Sequence, residues 1–279
     1  MSDSAIDEQA STEPLPAFDD EATLPPAVVR SFAAEGHALL PQLASESDAA
    51  AYLPLIESLA VATAWNKHEL AEPGRYEGTF LQAFNLWRLD ERVARFVLAR
   101  RFASAAAALL GVERVRLYHD QALCKGPGAG RTPWHQDHHY WPLDTDRTIT
   151  MWMPLVDVPA EVGSMTFASG THLLGRLCDT GIGKEGDRHL AALIEERDLP
   201  THTYGALRAG DATFHTGWTV HSAGRNHSDR LRTVMTVIYY ADGARVGTDI
   251  TDAQEVDRKA WLGGRAPGAV ADHELNPVL

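Results

Sequence analysis

The chain has 279 residues, of which 44% are hydrophobic and 23% charged, a balance that favours a folded protein with a sizeable core. Its formal net charge of −13 argues against binding to nucleic acid or to an anionic membrane, because neither basic patches nor a long apolar run are visible. Two cysteines, Cys124 and Cys178, are too few for a disulfide framework, and the N-terminus lacks the pattern of a leader peptide. We therefore expect a cytoplasmic location.

The N-terminal third predicts helices and one strand. Residues 1–26 carry several acids and prolines but no lysine or arginine, which predicts a mobile acidic tail. A short helix is predicted over residues 26–36 and a strand over residues 37–43, and Ser45 is the expected N-cap of a second helix. We expect residues 27–279 to form a single domain with this helical part as its scaffold.

The residue pattern changes after the next helical segment. Residues 91–111 are rich in alanine, leucine and arginine and end at a glycine, which predicts one long scaffold helix. Short apolar runs separated by glycine, proline and aspartate come after it and predict a mostly β sandwich or barrel. Helices followed by strands argue against a doubly wound parallel sheet. The runs are VRLYHDQALC, PWHQDHHYW, TITMWMPLV, SMTFA, DATFHTG and RTVMTVIYYA.

Candidate metal ligands stand at the end of a loop rich in glycine and proline. His135 and Asp137 are two residues apart, so that on a strand both side chains would point to the same face. His221, in a second polar cluster, would supply a third ligand from another strand. Two histidines and one carboxylate leave adjacent positions open on the metal, the arrangement of iron(II) oxygenases.

Two arginines follow the second cluster. A guanidinium donates two parallel hydrogen bonds to a carboxylate, so an arginine near this metal suggests a dicarboxylate co-substrate. Strand alternation places Arg232 on the inward face with Val234, Thr236 and Ile238, and Arg230 is the nearby alternative.

Taken together, these segments resemble the phytanoyl-CoA dioxygenase family of oxygenases over residues 32–240. The resemblance implies a double-stranded β-helix, or jelly-roll, core with flanking helices. It is carried by K-x-P at 125–127, HQD at 135–137, Y-x-P at 140–142, GSMTFASGTH at 163–172 and HSAGRNHSDRLR at 221–232.

The resemblance also implies roles for individual residues. His135, Asp137 and His221 would be the catalytic iron(II) ligands, and Arg232 would bind the distal carboxylate of 2-oxoglutarate. Further contacts with this co-substrate are implied for Gln136, Gln121 and Trp152. Ala223 stands where relatives commonly have a serine that helps to hold 2-oxoglutarate, so that hydroxyl contact is in question.

The implied reaction consumes O2 and 2-oxoglutarate and releases succinate and carbon dioxide. Because related halogenases lose the carboxylate ligand, Asp137 favours hydroxylation over halogenation. We expect a small organic substrate, either a secondary metabolite or a lipid or acyl compound. Oxidative cyclisation, epimerisation or desaturation in natural-product biosynthesis is the alternative at the same site. A non-catalytic jelly-roll metal or ligand-binding protein is the alternative from another class, and a cupin-like metal isomerase would leave the arginine unexplained.

The substrate pocket is less clearly marked. Its walls are expected from residues 68–88, 175–205 and 138–141, with no lysine and arginine cluster of the kind that binds CoA phosphates, although Arg176, Lys184, Arg188 and Arg197 keep that option open. Candidate substrate contacts are His138, His139, Trp141 and Trp218. Other histidines are expected in the core, namely His37, His119, His172 and His215.

Overall fold

The structure, a computed structural model, describes residues 15–66, 78, 80–159 and 162–279. The predicted jelly-roll core with flanking helices is confirmed. The strands of the described part are β1 (His37–Leu40), β2 (Phe80–Phe84), β3 (Val115–Lys125), β4 (Thr132–His135), β5 (Thr148–Pro154), β6 (Met165–Ala168), β7 (Thr201–Thr203), β8 (Ala212–Thr216), β9 (His221–Ala223) and β10 (Arg232–Ala241). The α-helices are α1 (Pro26–Glu35), α2 (Glu46–Thr63), α3 (Glu91–Val97), α4 (Arg100–Leu110), α5 (Lys184–Glu196) and α6 (Asp252–Trp261).

The strands form two antiparallel sheets. The larger sheet has the order β1-β8-β5-β10-β3-β2 and the smaller one has the order β4-β9-β6-β7. Strand β10 is rich in β-branched and aromatic residues, which suits a buried central strand, and it pairs with β3 on one side and β5 on the other. The inner faces of both sheets contribute to one cavity, which holds the candidate site.

The N-terminal helices cover the outer face of the larger sheet. Helix α1 ends at Gly36, which has a left-handed backbone (φ 80°), and Ser45 caps α2 by accepting a hydrogen bond from the Asp48 amide at 3.1 Å. Both helix boundaries agree with the prediction from sequence. Helices α2 and α4 then contact β3, and α4 also contacts β5 and β10, so the helical layer supports the strands that carry the site.

The single long helix predicted over residues 91–111 is wrong, because the structure has two helices there. Helix α3 ends at Val97, and the extended backbone of Ala99 (φ −59°, ψ 126°) starts α4 in a new direction. No glycine or proline marks the break. Phe96 and Phe102, one from each helix, instead pack with their ring centroids 5.1 Å apart, so tertiary packing outweighs helix propensity here.

The mobile tail predicted for residues 1–26 is wrong over residues 15–25, and residues 1–14 lie outside the described part. Phe18 is 1% exposed, and its ring centroid lies 4.9 Å from that of Phe102. The Arg101 amide donates to the Phe18 carbonyl at 3.0 Å, and the Tyr52 hydroxyl donates to the Pro16 carbonyl. One aromatic anchor therefore orders a segment whose average composition suggests disorder.

None of the helices in the described part of the chain is long and apolar enough to cross a membrane. Both cysteines, Cys124 and Cys178, are buried free thiols.

Candidate metal centre

The three predicted metal ligands converge. His135 ends β4 and His221 begins β9, and these two residues are direct partners in the β4–β9 pairing. Asp137 begins a short 3₁₀ turn after β4, so the expectation that His135 and Asp137 share a strand face is wrong in detail. One ligand atom from each residue lies within 4.8 Å of the others. Asp137 Oδ1 is 3.4 Å from His135 Nε2 and 3.6 Å from His221 Nε2.

Backbone carbonyls orient both imidazoles. Nδ1 of His135 lies 2.8 Å from the Pro133 carbonyl, and Nδ1 of His221 lies 3.0 Å from the Thr219 carbonyl. Because a carbonyl only accepts, each Nδ1 carries the hydrogen and each Nε2 keeps its lone pair for a metal. Burial, together with the neighbouring histidines, holds the pKa of His221 well below its usual range. His221 is therefore a neutral ligand at physiological pH.

Asp137 is fixed through its second oxygen. Oδ2 accepts a hydrogen bond from the Thr150 hydroxyl at 3.0 Å and lies 3.2 Å from Nε2 of His215. Burial raises the pKa of Asp137, but the surrounding His221, His135 and His215 outweigh it and hold the pKa well below the usual value. The group is a carboxylate, with Oδ1 directed at the two ligand imidazoles.

Arg232, the first residue of β10, is a buried cation with spare donors. It is 2% exposed, and its Nη1 donates to the Gly163 carbonyl at 2.8 Å, while its Nε has no hydrogen-bond partner among the described residues. Its guanidinium carbon lies 5.4 Å from the ring centroid of Trp152. Burial lowers the pKa of Arg232 to about 10, which leaves it charged at neutral pH. A buried guanidinium with an unpaired donor requires an anion.

Gly163, whose carbonyl accepts the hydrogen bond from Arg232, lies close to the backbone of Gly224. Its backbone is left-handed (φ 84°), and a Cβ there would lie 2.4 Å from the carbonyl oxygen of Gly224. Arg230, the alternative anchor, has a side chain that is 90% exposed and pairs only loosely with Asp229 at 3.8 Å. The geometry therefore favours Arg232 over Arg230.

A cavity of about 400 Å³ joins the metal ligands to Arg232. Gln121, Trp152 and Trp141 are on its wall, and the Gln121 amide also donates to the Gln82 side chain at 3.0 Å. Most of the remaining surface is aromatic or aliphatic, as is usual for a small-molecule site. The other aromatic residues of the wall are Phe80, Phe84, Tyr140 and Trp261.

Gln136 is not among the residues that line the cavity, so the geometry does not support its predicted contact with 2-oxoglutarate. Its amide nitrogen donates to the carbonyls of Gly175 at 2.9 Å and Trp218 at 2.6 Å, and its amide oxygen accepts from the Leu177 amide at 2.8 Å. Its neighbour Asp137 turns to the opposite side. Gln136 therefore anchors the metal-binding loop to two other loops.

Three of the candidate substrate contacts also lie away from the cavity wall. His138 is buried with Nδ1 3.0 Å from the Thr148 hydroxyl, and His139 faces Arg176. The ring of Trp218 packs at a tilt against His138 with a centroid distance of 4.4 Å, and its indole nitrogen donates to Asp146. None of these three residues is among those that line the cavity, so the geometry does not support the predicted substrate contacts of His138, His139 and Trp218.

Comparison with known proteins identifies the family. Residues 20–234 match the family described as Phytanoyl-CoA dioxygenase (PhyH), which is well over half of the chain. The chain belongs to the phytanoyl-CoA dioxygenase family.

This member of the phytanoyl-CoA dioxygenase family is similar to two enzymes of solved structure and to one further named protein. The crystal structure of the non-heme alpha ketoglutarate dependent carbocyclase SnoK from nogalamycin biosynthesis is 26% identical, covers 92% of this chain and 96% of its own, and has a TM-score of 0.73. The epimerase SnoN from the same biosynthesis is 25% identical, covers 90% and 97%, and has a TM-score of 0.68. The probable alpha-ketoglutarate-dependent hypophosphite dioxygenase of Stutzerimonas stutzeri is 27% identical over 136 residues. That match spans about half the length of either protein, 47% of each.

Several residues that line the cavity of this phytanoyl-CoA dioxygenase family member were not predicted from the sequence. His119 and His215 are buried as predicted, but both also line the cavity, and His215 contacts Asp137. Asp257 and Trp261 of α6 form part of the wall, beyond the end of the resemblance at residue 240. A capping box at Thr251 is the sequence signal that predicts the start of this helix, although it says nothing of where the helix docks.

The wall segments predicted for this family member are partly correct. Strand β2, within the predicted residues 68–88, supplies Phe80, Gln82 and Phe84, whereas residues 67–77 and 79 lie outside the described part. Of the predicted stretch 175–205, Ile182 reaches the cavity. The four basic residues that kept a CoA ester open are not among the lining residues of the described part.

Proposed function

We propose that this chain is an iron(II)- and 2-oxoglutarate-dependent oxygenase that acts on a small organic molecule. The observation that carries the proposal is the convergence of His135, Asp137 and His221 in the same cavity as the unpaired donor of Arg232. Two imidazoles and one carboxylate suit iron(II) and leave adjacent positions open for a keto acid and oxygen. The names of the relatives, with alpha ketoglutarate in each, support the same co-substrate.

Each side chain then has a defined task. Nε2 of His135, Nε2 of His221 and Oδ1 of Asp137 would hold the iron, and Thr150 and His215 keep the carboxylate in place. When bound, iron(II) with O2 and 2-oxoglutarate supplies the oxidising chemistry and releases succinate and carbon dioxide.

The co-substrate end is organised by Arg232. Its free guanidinium edge would bind the distal carboxylate of 2-oxoglutarate, with charge-assisted hydrogen bonds that are stronger in a site with little water. Trp152 packs against the guanidinium and limits its movement, and Gln121 offers an amide at the same wall. The aromatic wall excludes water from the space between the co-substrate and the substrate.

The decisive test is Asp137→Ala. We expect this variant to lose iron-dependent succinate production from 2-oxoglutarate, because the two imidazoles alone are a weak iron site. Asp229→Ala, at a side chain that is 94% exposed, is the matched control and should retain full activity. Full retention of succinate production in Asp137→Ala would refute the assignment.

The type of oxidation follows from the product. Hydroxylation is our first proposal, and similarity to a carbocyclase and an epimerase supports oxidative cyclisation or epimerisation as the second. Mass spectrometry separates them, since hydroxylation adds one oxygen, cyclisation removes two hydrogens and epimerisation leaves the mass unchanged. A non-catalytic binding protein would show no oxygen uptake stimulated by substrate.

A further inference from the structure

Helix α6 contributes to the wall of the cavity away from the metal ligands. It begins at Asp252, after the family match ends at residue 234. Asp257 and Trp261 are four residues apart and thus lie on the same helical face, and both line the cavity. The Gln254 amide donates to the Trp141 carbonyl at 3.1 Å and ties the helix to the neighbouring wall. Because α6 lies outside the family match, family membership does not assign a role to this helix.

Asp257 is a partly buried carboxylate surrounded by aromatic rings. Its Oδ2 accepts a hydrogen bond from the Tyr118 hydroxyl at 3.1 Å, and the Trp261 side chain donates a second one. The ring of Phe84 is stacked on Trp261 with centroids 5.2 Å apart. A carboxylate accepts about four hydrogen bonds, so lone pairs remain for a ligand. None of the ion pairs in the described part of the chain involves Asp257.

The charges of the cavity do not compensate Asp257. Its charged lining groups, apart from the histidines, are Asp137, Arg232 and Asp257. The charge balance that follows rests on the proposed function. The two positive charges of iron(II) and the one of Arg232 cancel the charge of Asp137 and those of the two carboxylates of 2-oxoglutarate. One negative charge, that of Asp257, is then left for the substrate to neutralise. Aromatic faces beside a carboxylate are the surroundings that bind organic cations.

We propose that Asp257, with the rings of Trp261 and Phe84, binds a positively charged nitrogen of the substrate. The substrate class is therefore an organic cation, namely a protonated amine carried on an apolar or aromatic body. Asp257 acts in recognition, at a wall separate from the metal ligands.

The ionisation of the wall fits this role. Burial raises the pKa of Asp257 to about 6, and the hydrogen bonds from Tyr118 and Trp261 act against that rise, so the carboxylate is ionised at neutral pH. Burial lowers the pKa of His119 to about 4 and raises the pKa values of Tyr118 and Tyr140. Of these groups, Asp257 alone changes its charge between about pH 5 and about pH 8.

The test is a binding comparison of 2-phenylethylammonium with 2-phenylethanol, which share one aromatic body. Purified protein loaded with iron(II) and 2-oxoglutarate is titrated without oxygen, and the same titrations are made on metal-free protein. We expect the ammonium probe to bind at least about tenfold more tightly. Asp257→Asn should abolish this preference, whereas Asp252→Asn, an exposed site on the same helix, should retain it. Equal binding, no binding of the ammonium probe, or a preference retained in Asp257→Asn would overturn the proposal.

A pH series on the wild-type protein keeps the test decisive if Asp257→Asn does not fold. Affinity for the ammonium probe should rise as pH increases through about 6, because the carboxylate becomes charged, while affinity for the alcohol should stay flat. A preference that does not change with pH would count against Asp257. Failure of the proposed function has a different signature: no succinate and no 2-oxoglutarate binding, with the amine preference of the metal-free protein intact.

Discussion

The two ends of the cavity are built differently. At the metal end, Asp137 and the two histidines each contact further side chains or carbonyls, and all three lie within the family match, on β4, on β9 and on the 3₁₀ turn after β4. At the other end, α6 lies beyond that match and presents one carboxylate among aromatic rings. According to our proposals, the first end binds iron and 2-oxoglutarate and the second end selects the substrate. Changes at the two ends should therefore affect different measurements.

The largest effect is expected from His221→Ala, which removes a proposed metal ligand. We expect iron-dependent succinate formation to fall by at least about a thousandfold, because the proposed site would keep one imidazole and one carboxylate in place of three ligands. His227→Ala, at an exposed histidine six residues later, is the control and should behave as the wild type. Substantial turnover in His221→Ala would place the iron elsewhere.

Arg232→Gln should have the next largest effect, on the co-substrate alone. Loss of two charge-assisted hydrogen bonds corresponds to an increase of about a hundredfold in KM for 2-oxoglutarate. Arg230→Gln changes the same charge at an exposed neighbour and should leave this KM unchanged. If Arg230→Gln were the variant with the raised KM, the choice of anchor would be reversed.

Removing the groups behind Asp137 should weaken iron binding without abolishing it. Thr150→Val and His215→Phe each delete one partner of Asp137 Oδ2. Partners of this kind change metal affinity by about tenfold to a hundredfold, which equilibrium titration with iron(II) under nitrogen would measure. An unchanged dissociation constant in both variants would show that Asp137 needs neither contact.

The smallest catalytic effect is expected from Gln136→Ala. The Gln136 side chain makes three hydrogen bonds to backbone groups of two other loops, so the free energy of unfolding should fall by about 1–3 kcal/mol when it is removed. The KM for 2-oxoglutarate should stay close to that of the wild type. A raised KM with unchanged stability would restore the co-substrate contact that the sequence suggested.

The metal site was predictable because its signal is local. His135 and Asp137 are two residues apart in a short motif, and the strand that begins with His221 pairs directly with the strand that ends with His135. Gln136 was misassigned because a motif position does not define the side to which its side chain turns. His215 was seen only as a buried histidine, since its contact with Asp137 depends on how β8 pairs with β5.

In the rest of the fold, too, local contacts were predictable from sequence and tertiary contacts were not. Residue patterns predicted the caps at Gly36 and Ser45, where the decisive contacts lie within one helical turn. They missed the break at Ala99 and the anchoring of Phe18, because both depend on tertiary packing among the rings of Phe18, Phe96 and Phe102. The docking of α6 on the cavity is likewise set by tertiary contacts that a helical pattern does not encode.

Strand β10 combines structural and functional positions. It lies between β3 and β5, is buried along nearly its whole length, and carries Arg232, Thr236 and Ile238 on the cavity wall. Amide hydrogens in such a strand exchange with solvent only when large parts of the molecule open. Deuterium uptake over residues 233–240 should therefore be among the slowest in the protein, and Arg232, the proposed co-substrate anchor, begins one of the last strands to unfold.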